Sequence, residues 1–363
     1  MLHQTGVLPA HLLRAMIAAG EIIALVPVVA QQIQPASIDL RLGASAFRLR
    51  ASFLPGRGRK VADRLGDIAM HKIDLTQGAV LETGCVYLVP LIESLNLSRN
   101  ISGLANPKSS TGRIDVFTRV LTDGADEFDR IPGGYQGPLY AEICPRTFSV
   151  LVRVGSRLGQ ARFKRGDASI ADAELKDIQR EEGLIASDAP DIAEGIALSV
   201  DLSGDAGGLV GYRAKRHAGL IDVDNVAGYD PLDFWEPVYA RPSRAIVLDP
   251  NEFYILASRE SVRVPPAYAA EMVPFDPLVG EFRVHYAGFF DPGFGHAAAG
   301  GEGARAVLEV RSHEVPFLLQ HGQKVGRLIY ERLLELPQEL YGGATGAHYQ
   351  AQGLKLSKHF KRV

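Results

Sequence analysis

The sequence lacks the features that mark secreted, membrane-embedded and nucleic-acid-coating proteins. Only two cysteines occur in 363 residues, and they form no Cys-x-x-Cys pair, so we expect free thiols in a reducing compartment. No apolar run approaches the roughly 20 residues of a membrane span, and the N-terminus does not resemble a signal peptide. A formal net charge of −3 argues against a general nucleic-acid-binding surface. We therefore expect a cytoplasmic protein with neither a membrane nor a nucleic-acid partner.

The sequence does have an ordinary globular composition and enough length for two domains. Hydrophobic residues make up 46% and charged residues 22%. From about residue 73 to 163, short β-prone runs alternate with turns rich in Gly, Pro, Asn and Asp. This pattern predicts a mainly β fold of barrel or sandwich domains with short peripheral helices. We also predict an amphipathic helix at residues 8–19, a half-buried strand from residue 37 to 42, and a solvated basic loop at residues 55–60.

An internal repeat organises the chain. A single offset of 167 matches identical residues in two regions, carrying Leu81 to Leu248, Tyr87 to Tyr254, Pro107 to Pro274, Glu142 to Glu309 and Gly159 to Gly326. Upstream, a match of residues 38–39 with 221–222 at an offset of 183 indicates an extra basic loop in the first copy. We predict a first domain at 1–166, a linker with a helical segment at 167–202, a second domain at 203–336 and a tail at 337–363.

Two short stretches of the first copy carry the chemistry. Residues 106–113 place Lys108, Ser109, Ser110 and Arg113 in one polar turn. Hydroxyls, backbone N–H groups and a guanidinium are the donors that a triphosphate needs. Some thirty residues later, Glu142 lies on an apolar strand. Burial there makes its carboxylate a candidate general acid or base.

The second copy differs from the first at both places. The two serines and the arginine of the turn are replaced by Asp276, Pro277 and Gly280. In exchange, the second copy has Asp291 in a Phe-Asp-Pro-Gly-Phe segment before the strand that carries Glu309, whereas residues 130–133 of the first copy lack this aspartate. The two copies therefore look complementary. Each feature also has a plainer interpretation: a surface turn at 109–113, a turn former at Asp291 and an edge-strand charge at Glu309.

The tail from residue 337 is rich in Gly and polar residues, which suits a lid that orders over a ligand. A frayed C-terminus is the default alternative. The histidines show no metal-ligand spacing, and one known type of catalytic zinc site is built from a His-x-Glu and a Pro-Cys-x-x-Cys motif. Neither motif is present, so we expect no catalytic zinc or other protein-bound metal.

In their order along the chain, four motifs resemble those of dCTP deaminases, in the long tandem form found in some bacteria. They are residues 35–43, the turn at 109–113, the segments 291–294 and 307–309, and residues 349–353. The resemblance covers both halves and the tail, but not residues 165–210. It implies two tandem domains of the dUTPase-like β fold, and a homo-oligomer that is a trimer of tandem chains.

The resemblance also implies an activity, the hydrolytic deamination of dCTP to dUTP and ammonia, with Mg²⁺ accompanying the triphosphate and dTTP as a possible inhibitor. The implied catalytic residues are Glu309 or Glu142 as general acid/base, with Ser109 and Arg113 beside the reacting centre. The implied substrate-binding residues are Lys108, Ser110, Asp291, Val307, Leu308, Gln160, Tyr341, His348 and Gln352. His348 stands where the family usually has lysine.

Three further questions stay open at this level. Each site could combine the serine–arginine turn of a first copy with Asp291 and Glu309 of a second copy. The enzyme could instead be a dUTP pyrophosphatase, or could catalyse both steps, since the fold and anion-binding motifs are shared. A third alternative is a non-catalytic nucleotide-binding regulator. Asp39 and Asp222 are assigned to pairing within the scaffold in preference to catalysis.

Overall fold

The computed structural model describes residues 4–274, 282–285, 288–312, 314–342 and 352–362. The fold is mainly β with short helices, as the sequence predicted. The helices are α1 Ala10–Ala18, α2 Val61–Ile68, α3 Ser109–Gly112, α4 Asp172–Glu182 and α5 Pro231–Phe234, with 3₁₀ turns at Ala30–Gln32 and Ala297–Ala299. Among the helices of these residues, none has the length and apolar character to cross a bilayer.

The strands follow in chain order. They are β1 Gly6–Val7, β2 Ile22–Ala24, β3 Ile33–Gln34, β4 Ser37–Leu40, β5 Ser45–Leu49, β6 Ala69–Asp74, β7 Ala79–Leu81, β8 Val86–Asn96, β9 Ile101–Pro107, β10 Val116–Thr122, β11 Arg130–Ile131, β12 Gln136–Pro145, β13 Val150–Val152, β14 Gly159–Arg165, β15 Ile196–Ser199, β16 Leu209–Ala214, β17 Ile221–Asp222, β18 Trp235–Tyr239, β19 Ala245–Leu248, β20 Phe253–Val262, β21 Tyr268–Pro274, β22 Phe282–His285, β23 Phe289–Phe290, β24 Ala304–Ser312, β25 Phe317–Gln320 and β26 Lys324–Arg332.

The chain forms two compact units. The first unit comprises Met1–Ala168, Gly219–Gly228 and Leu333–Gln338, and the second comprises Ser169–Ala218, Tyr229–Arg332 and Glu339–Val363. The interval 167–202 contains the predicted helix, as α4, and also β15, which is a strand of the second unit's sheet.

The first unit contains two six-stranded sheets. In one the order is β11-β9-β14-β4-β3, with β1 added to β14; in the other it is β10-β12-β8-β5-β6, with β2 added to β8. Helix α1 buries Ala10, Leu13 and Met16 in the core of this unit. It ends before Gly20, whose φ of 72° suits glycine at a helix terminus.

Strand β4 is buried on both faces, so the prediction of a half-buried strand is wrong. Ser37 and Asp39, the polar residues of the alternating pattern, are as inaccessible as Ile38 and Leu40. The strand lies between β14 and β3, and the Asp39 carboxylate contacts the Lys108 ammonium. A buried charge is tolerated when it is paired, so alternation of polarity alone did not predict an exposed face.

The second unit contains a four-stranded sheet of order β15-β26-β21-β23 and a five-stranded sheet of order β18-β16-β20-β24-β22. Its core includes Leu256, Leu308, Leu328 and Tyr330, none of which is more than 1% exposed. The β20–β24 pair is central to this unit and carries the second-copy glutamate strand.

Strand pairing repeats with the 167-residue offset found in the sequence. Glu142 of β12 lies opposite Leu88, and Glu309 of β24 lies opposite Ile255, the residue 167 positions after Leu88. The two repeated tyrosines also make the same contact. The hydroxyl of Tyr87 accepts the Glu82 N–H at 3.0 Å, and that of Tyr254 accepts the Asp249 N–H at 3.1 Å.

Upstream of residue 80 the structure corrects the alignment of the copies. Asp39 of β4 pairs with Gln160, and Ala197 of β15 pairs with Arg327, so β15 is the counterpart of β4 at an offset of 158. The match of residues 38–39 with 221–222 is therefore wrong, because β17 instead pairs in parallel with β13 of the first unit. Since the offset rises from 158 to 167, the second copy is the longer one in this interval.

A hydrogen bond from a backbone amide to a carboxylate occurs in both copies and supports the corrected alignment. The Arg41 N–H donates to Glu93 Oε2 at 2.8 Å, and the Ser199 N–H donates to Glu260 Oε2 at the same distance. Arg41 and Ser199 differ by 158 residues, while Glu93 and Glu260 differ by 167. The same backbone amide therefore meets the same carboxylate in both copies.

The end of the tail packs into the second unit. Phe360 is 4% exposed, and its ring lies 5.4 Å from that of Phe234 and 5.9 Å from that of Trp235, centroid to centroid. Tyr229 donates its N–H to the His359 carbonyl at 3.2 Å and accepts the Lys361 N–H at 2.9 Å. Phe360 is therefore packed in the interior of this unit, and this part of the tail is not a frayed end.

Phe360→Ala is expected to destabilise the second unit by about 3–5 kcal/mol, the cost of emptying a buried aromatic site. Trp235 is the single tryptophan of the chain, so its fluorescence in urea reports on this unit. The neighbouring exposed Lys361 supplies the matched control, Lys361→Ala, which should unfold like the parent. Equal urea midpoints for the two variants would contradict the packing role of Phe360.

Candidate active site

The serine-rich turn of the first copy is the short helix α3. It begins where β9 ends at Pro107, and the carbonyls of Lys108 and Ser109 accept the N–H groups of Gly112 and Arg113 at 3.0 and 3.1 Å. Ser110, Thr111 and Arg113 are buried. The turn is consequently an ordered part of the first unit and not a solvated surface loop.

Asp39 and Lys108 form an ion pair beside this turn. The Lys108 ammonium contacts Asp39 Oδ2, and Arg157 Nη1 lies 3.5 Å from the same oxygen. Asp39 thus compensates two cations, in keeping with the scaffold role assigned to it. Asp222 has a similar role, because Arg153 donates to its two oxygens at 2.7 and 2.8 Å.

Gln160 lies in the same region as the turn. On β14 it pairs with Asp39 of β4 on one side and with Asn106 of β9 on the other. Residues directly opposite one another on adjacent strands share a face of the sheet. Asp39, Gln160 and Asn106 therefore lie in one row across three adjacent strands. Asn106 is two residues before Lys108 in the chain.

Asp115 was missed by sequence reasoning. It has φ of 55° and is buried, and the Thr147 hydroxyl donates to its Oδ2 at 2.5 Å. Its carbonyl accepts the Arg146 N–H at 2.9 Å. These bonds fix the end of the turn to the loop after β12. The sequence signal was weak, since an aspartate after a helix is usually a turn former.

Glu142 is buried in the sheet of the first unit and is paired there with a cation. It is 3% exposed, and Arg119, directly opposite on β10, contacts its Oε1 through Nη2. The Ser52 hydroxyl donates to the same oxygen at 3.0 Å. Arg119 was also missed by sequence reasoning, because nothing in a single sequence indicates which residue of β10 faces Glu142.

Asp129 lies close to this pair. It has φ of 63°, and its Oδ1 accepts the Val120 N–H at 2.8 Å. Burial raises the pKa of Asp129 from 3.8 to about 7; the Val120 N–H and Arg119 oppose this shift, and the charge of Glu142 adds to it. The carboxylate is therefore partly protonated near neutral pH.

Replacing this carboxylate should change how stability depends on pH. Because the pKa is higher in the folded state, ionisation disfavours folding, and stability falls as pH rises from about 4 to about 7. Asp129→Asn keeps an acceptor for Val120 and tolerates positive φ. The variant should gain on the order of 2 kcal/mol relative to the parent between pH 5 and pH 8. Urea unfolding followed by circular dichroism measures this, and identical pH profiles would disprove it.

In the second unit, Glu309 occupies the middle of β24. It is 1% exposed and lies opposite Ile255 of β20 and His285 of β22 in the strand register. Val307 and Leu308 precede it and are buried. Glu309 is a buried residue of a central strand, so the interpretation as an edge-strand charge is wrong.

Asp291 follows β23 in the other sheet of the same unit. Its carbonyl accepts the Phe294 N–H at 3.1 Å, as expected for a turn, but its side chain is also largely buried. Tyr341 reaches this turn, donating its N–H to the Pro292 carbonyl at 2.8 Å and packing its ring 5.7 Å from that of Phe294. Asp291 and Tyr341 are thus brought together.

Gln352 is held on β24. Arg305 is its partner: the Arg305 N–H donates to the Gln352 carbonyl at 2.9 Å, and the side-chain Nε2 of Gln352 donates to the Arg305 carbonyl at 3.0 Å. Arg305 stands two residues before Val307. His348 lies outside the described residues. In the described ranges no three His, Cys, Asp or Glu side chains cluster in a way that could hold a metal ion.

The first unit thus has the ordered serine–arginine turn, and each of the two units has a strand with a buried glutamate. Family models match both parts, the N-terminal domain of 2'-deoxycytidine 5'-triphosphate deaminase at residues 4–167 and its C-terminal domain at residues 171–360. The chain belongs to the dCTP deaminase family, as the sequence motifs indicated.

Similar proteins agree with this assignment. A crystal structure of 2'-deoxycytidine 5'-triphosphate deaminase from Agrobacterium tumefaciens is 60% identical, with a TM-score of 0.88 over 91% of this chain and 100% of that one. The chain is 33% identical over 153 residues to a "dCTP deaminase, dUMP-forming" of Beutenbergia cavernae, covering 39% of this chain and 74% of that protein. It is 33% identical over 152 residues, with the same coverage, to a protein of that name from Kocuria rhizophila.

Proposed function

We propose that the protein is an enzyme that hydrolyses the C4–N bond of dCTP, giving dUTP and ammonia. Membership of the deaminase family carries the proposal, together with one structural observation. Glu309 is a carboxylate enclosed in the middle of a strand, directly after Val307 and Leu308, whose backbone groups are proposed to contact the base.

Glu309 is the proposed general acid/base. As a base it removes a proton from water while the water oxygen attacks C4 of cytosine. As an acid it then delivers the proton to the exocyclic nitrogen, and the C4–N bond breaks to release ammonia. Glu142 is the weaker candidate, because its Oε1 is already engaged by Arg119 and Ser52.

The serine turn supplies the proposed polar contacts. Ser109 and Arg113 lie beside the reacting centre, with Ser110, Lys108 and Gln160 among the residues that bind the nucleotide. The burial of Ser110 and Arg113 and the fixed end of the turn support this, since a preorganised donor loses little conformational entropy on binding. Asp291, Tyr341 and Gln352 complete the nucleotide contacts in this proposal.

Magnesium is proposed to arrive with the triphosphate. Mg²⁺ retains several waters and is commonly held by substrate phosphates and few carboxylates. Two acidic residues adjoin the turn: Asp39 is paired with Lys108 and Arg157, and Asp115 accepts from the Thr147 hydroxyl. The described residues therefore fit a nucleotide-borne ion better than a protein-bound one.

A second candidate activity is the conversion of dCTP to dUMP through an additional pyrophosphate-releasing step. The relatives from Beutenbergia cavernae and Kocuria rhizophila, both named as dUMP-forming, favour testing it. Separate incubations with dCTP and with dUTP distinguish the two. A dCTP deaminase releases ammonia from dCTP and leaves dUTP intact, whereas a bifunctional enzyme also releases pyrophosphate. Nucleotide binding without either product would instead indicate a regulator.

Substitution of the two glutamates tests which one performs the chemistry. Glu309→Gln should lower kcat for dCTP by at least about 100-fold, the usual contribution of a positioned acid/base. Glu142→Gln, its repeat-related control, should retain most of the activity of the parent. Ammonia release from dCTP measures both. Full activity in Glu309→Gln together with loss of activity in Glu142→Gln would reverse the assignment.

The same glutamate variant tests whether different chains contribute to one site. Arg113→Ala and Glu309→Gln each remove one of the two proposed contributions. If a homo-oligomer combines groups from different chains, mixing the two inactive variants under exchange conditions restores a fraction of the activity. No recovery after verified subunit exchange would show that each chain supplies both groups itself.

A further inference from the structure

The surroundings of Glu142 are unlike those of a free acid/base. We call Glu142, Ser52 and Phe128, which surround the Arg119 guanidinium, the Glu142 pocket. Arg119 contacts Glu142 Oε1, donates to the Ser52 hydroxyl oxygen at 3.0 Å, and places its guanidinium 3.6 Å from the centroid of the Phe128 ring. The pocket therefore gives a guanidinium an anion, a neutral acceptor and an aromatic face.

These are the three contacts that bind a planar cation. A carboxylate can accept two parallel N–H bonds from a guanidinium, and an aromatic face attracts the cation by its quadrupole. Arg119 uses only part of this capacity. Among the described residues, Glu142 Oε2 and Arg119 Nε are buried without a hydrogen-bond partner. Because Arg119 is attached to β10, its guanidinium contacts only Oε1 of Glu142, and Oε2 receives no hydrogen bond.

The segment between β5 and β6 covers the pocket. It supplies Ser52 and helix α2, and its Phe53, Leu54, Leu65 and Ile68 pack with Phe128 in one apolar cluster. Two contacts fix it to the loop between β10 and β11: Arg57 Nε donates to Asp126 at 2.8 Å, and the Val61 N–H donates to Asp123 at 2.8 Å. The pocket walls are therefore held independently of Arg119.

The residues opposite the two repeat-related glutamates differ in the strand register. In the strand register Arg119 lies opposite Glu142, whereas His285 lies opposite Glu309.

We propose that the Glu142 pocket is a binding site for small planar cations of the guanidinium and amidinium class, which the protein's own Arg119 fills. Removal of the Arg119 side chain vacates a site that a free guanidinium enters from solvent. The free ligand can engage both oxygens of Glu142, which the tethered side chain does not. The inference concerns the first copy alone and holds whether or not the proposed deaminase activity is found.

The test is chemical rescue of the full-length protein. Arg119→Ala should lower Tm by about 5 °C, because it leaves a buried carboxylate without its cation. Methylguanidinium chloride at about 50 mM should restore at least half of this loss relative to KCl at equal concentration, through binding to the folded state. The parent protein, whose pocket is filled, should show no such gain.

Three controls keep the proposal falsifiable. Arg119→Ala/Glu142→Gln lacks the anion and should not respond to methylguanidinium. Arg130→Ala removes an exposed arginine of the same unit, paired with Glu127, and should not respond either. Arg119→Gln offers a milder truncation if the alanine variant does not fold, and it should be rescued in the same way. The proposal would be overturned if methylguanidinium rescued neither Arg119→Ala nor Arg119→Gln. It would also be overturned if the double variant were rescued as well as Arg119→Ala.

Discussion

Buried carboxylates on central strands, each satisfied by a particular donor, constrain both units of this protein. Glu93 accepts from Arg41, and Glu260 accepts from the Ser199 backbone and hydroxyl. A carboxylate removed from water is costly unless it is paired and hydrogen-bonded. Each of these glutamates therefore holds the chain segment that donates to it. Glu93 holds the end of β4 through Arg41, and Glu260 holds the end of β15 through Ser199.

The same constraint separates the two repeat-related glutamates. Glu142 and Glu309 occupy identical positions in strand pairs related by 167 residues, and the register places Arg119 opposite the first and His285 opposite the second. A fixed guanidinium holds a carboxylate in place, and it also occupies the hydrogen-bonding capacity that a reaction would need. Both units therefore have the same strand with a buried acid, and the residue opposite that acid in the register differs between them.

Much of the fold was predictable from local pattern, and the same pattern named the candidate site residues, whose roles stay predictions. The offset of 167 recurs in the strand pairs β8–β12 and β20–β24, where Glu142 lies opposite Leu88 and Glu309 lies opposite Ile255. It failed upstream of residue 80, where Ile38 and Asp39 were matched to Ile221 and Asp222. Two short identical segments carry little information, and β15, the true counterpart of β4, shares too few side chains with it to be recognised.

The sequence by itself determined the repeat, the mainly β class, the order of the motifs and, through them, the family. These are encoded in residues close together in the chain or at one fixed offset. Only the tertiary structure decided that Asp39 pairs with Lys108, that Arg119 and Ser52 meet at Glu142, and that Asp115 fixes the serine turn. The physical reason is that a β-sheet joins residues distant in sequence, and a single chain does not reveal which strands become neighbours or which side chains then share a buried charge.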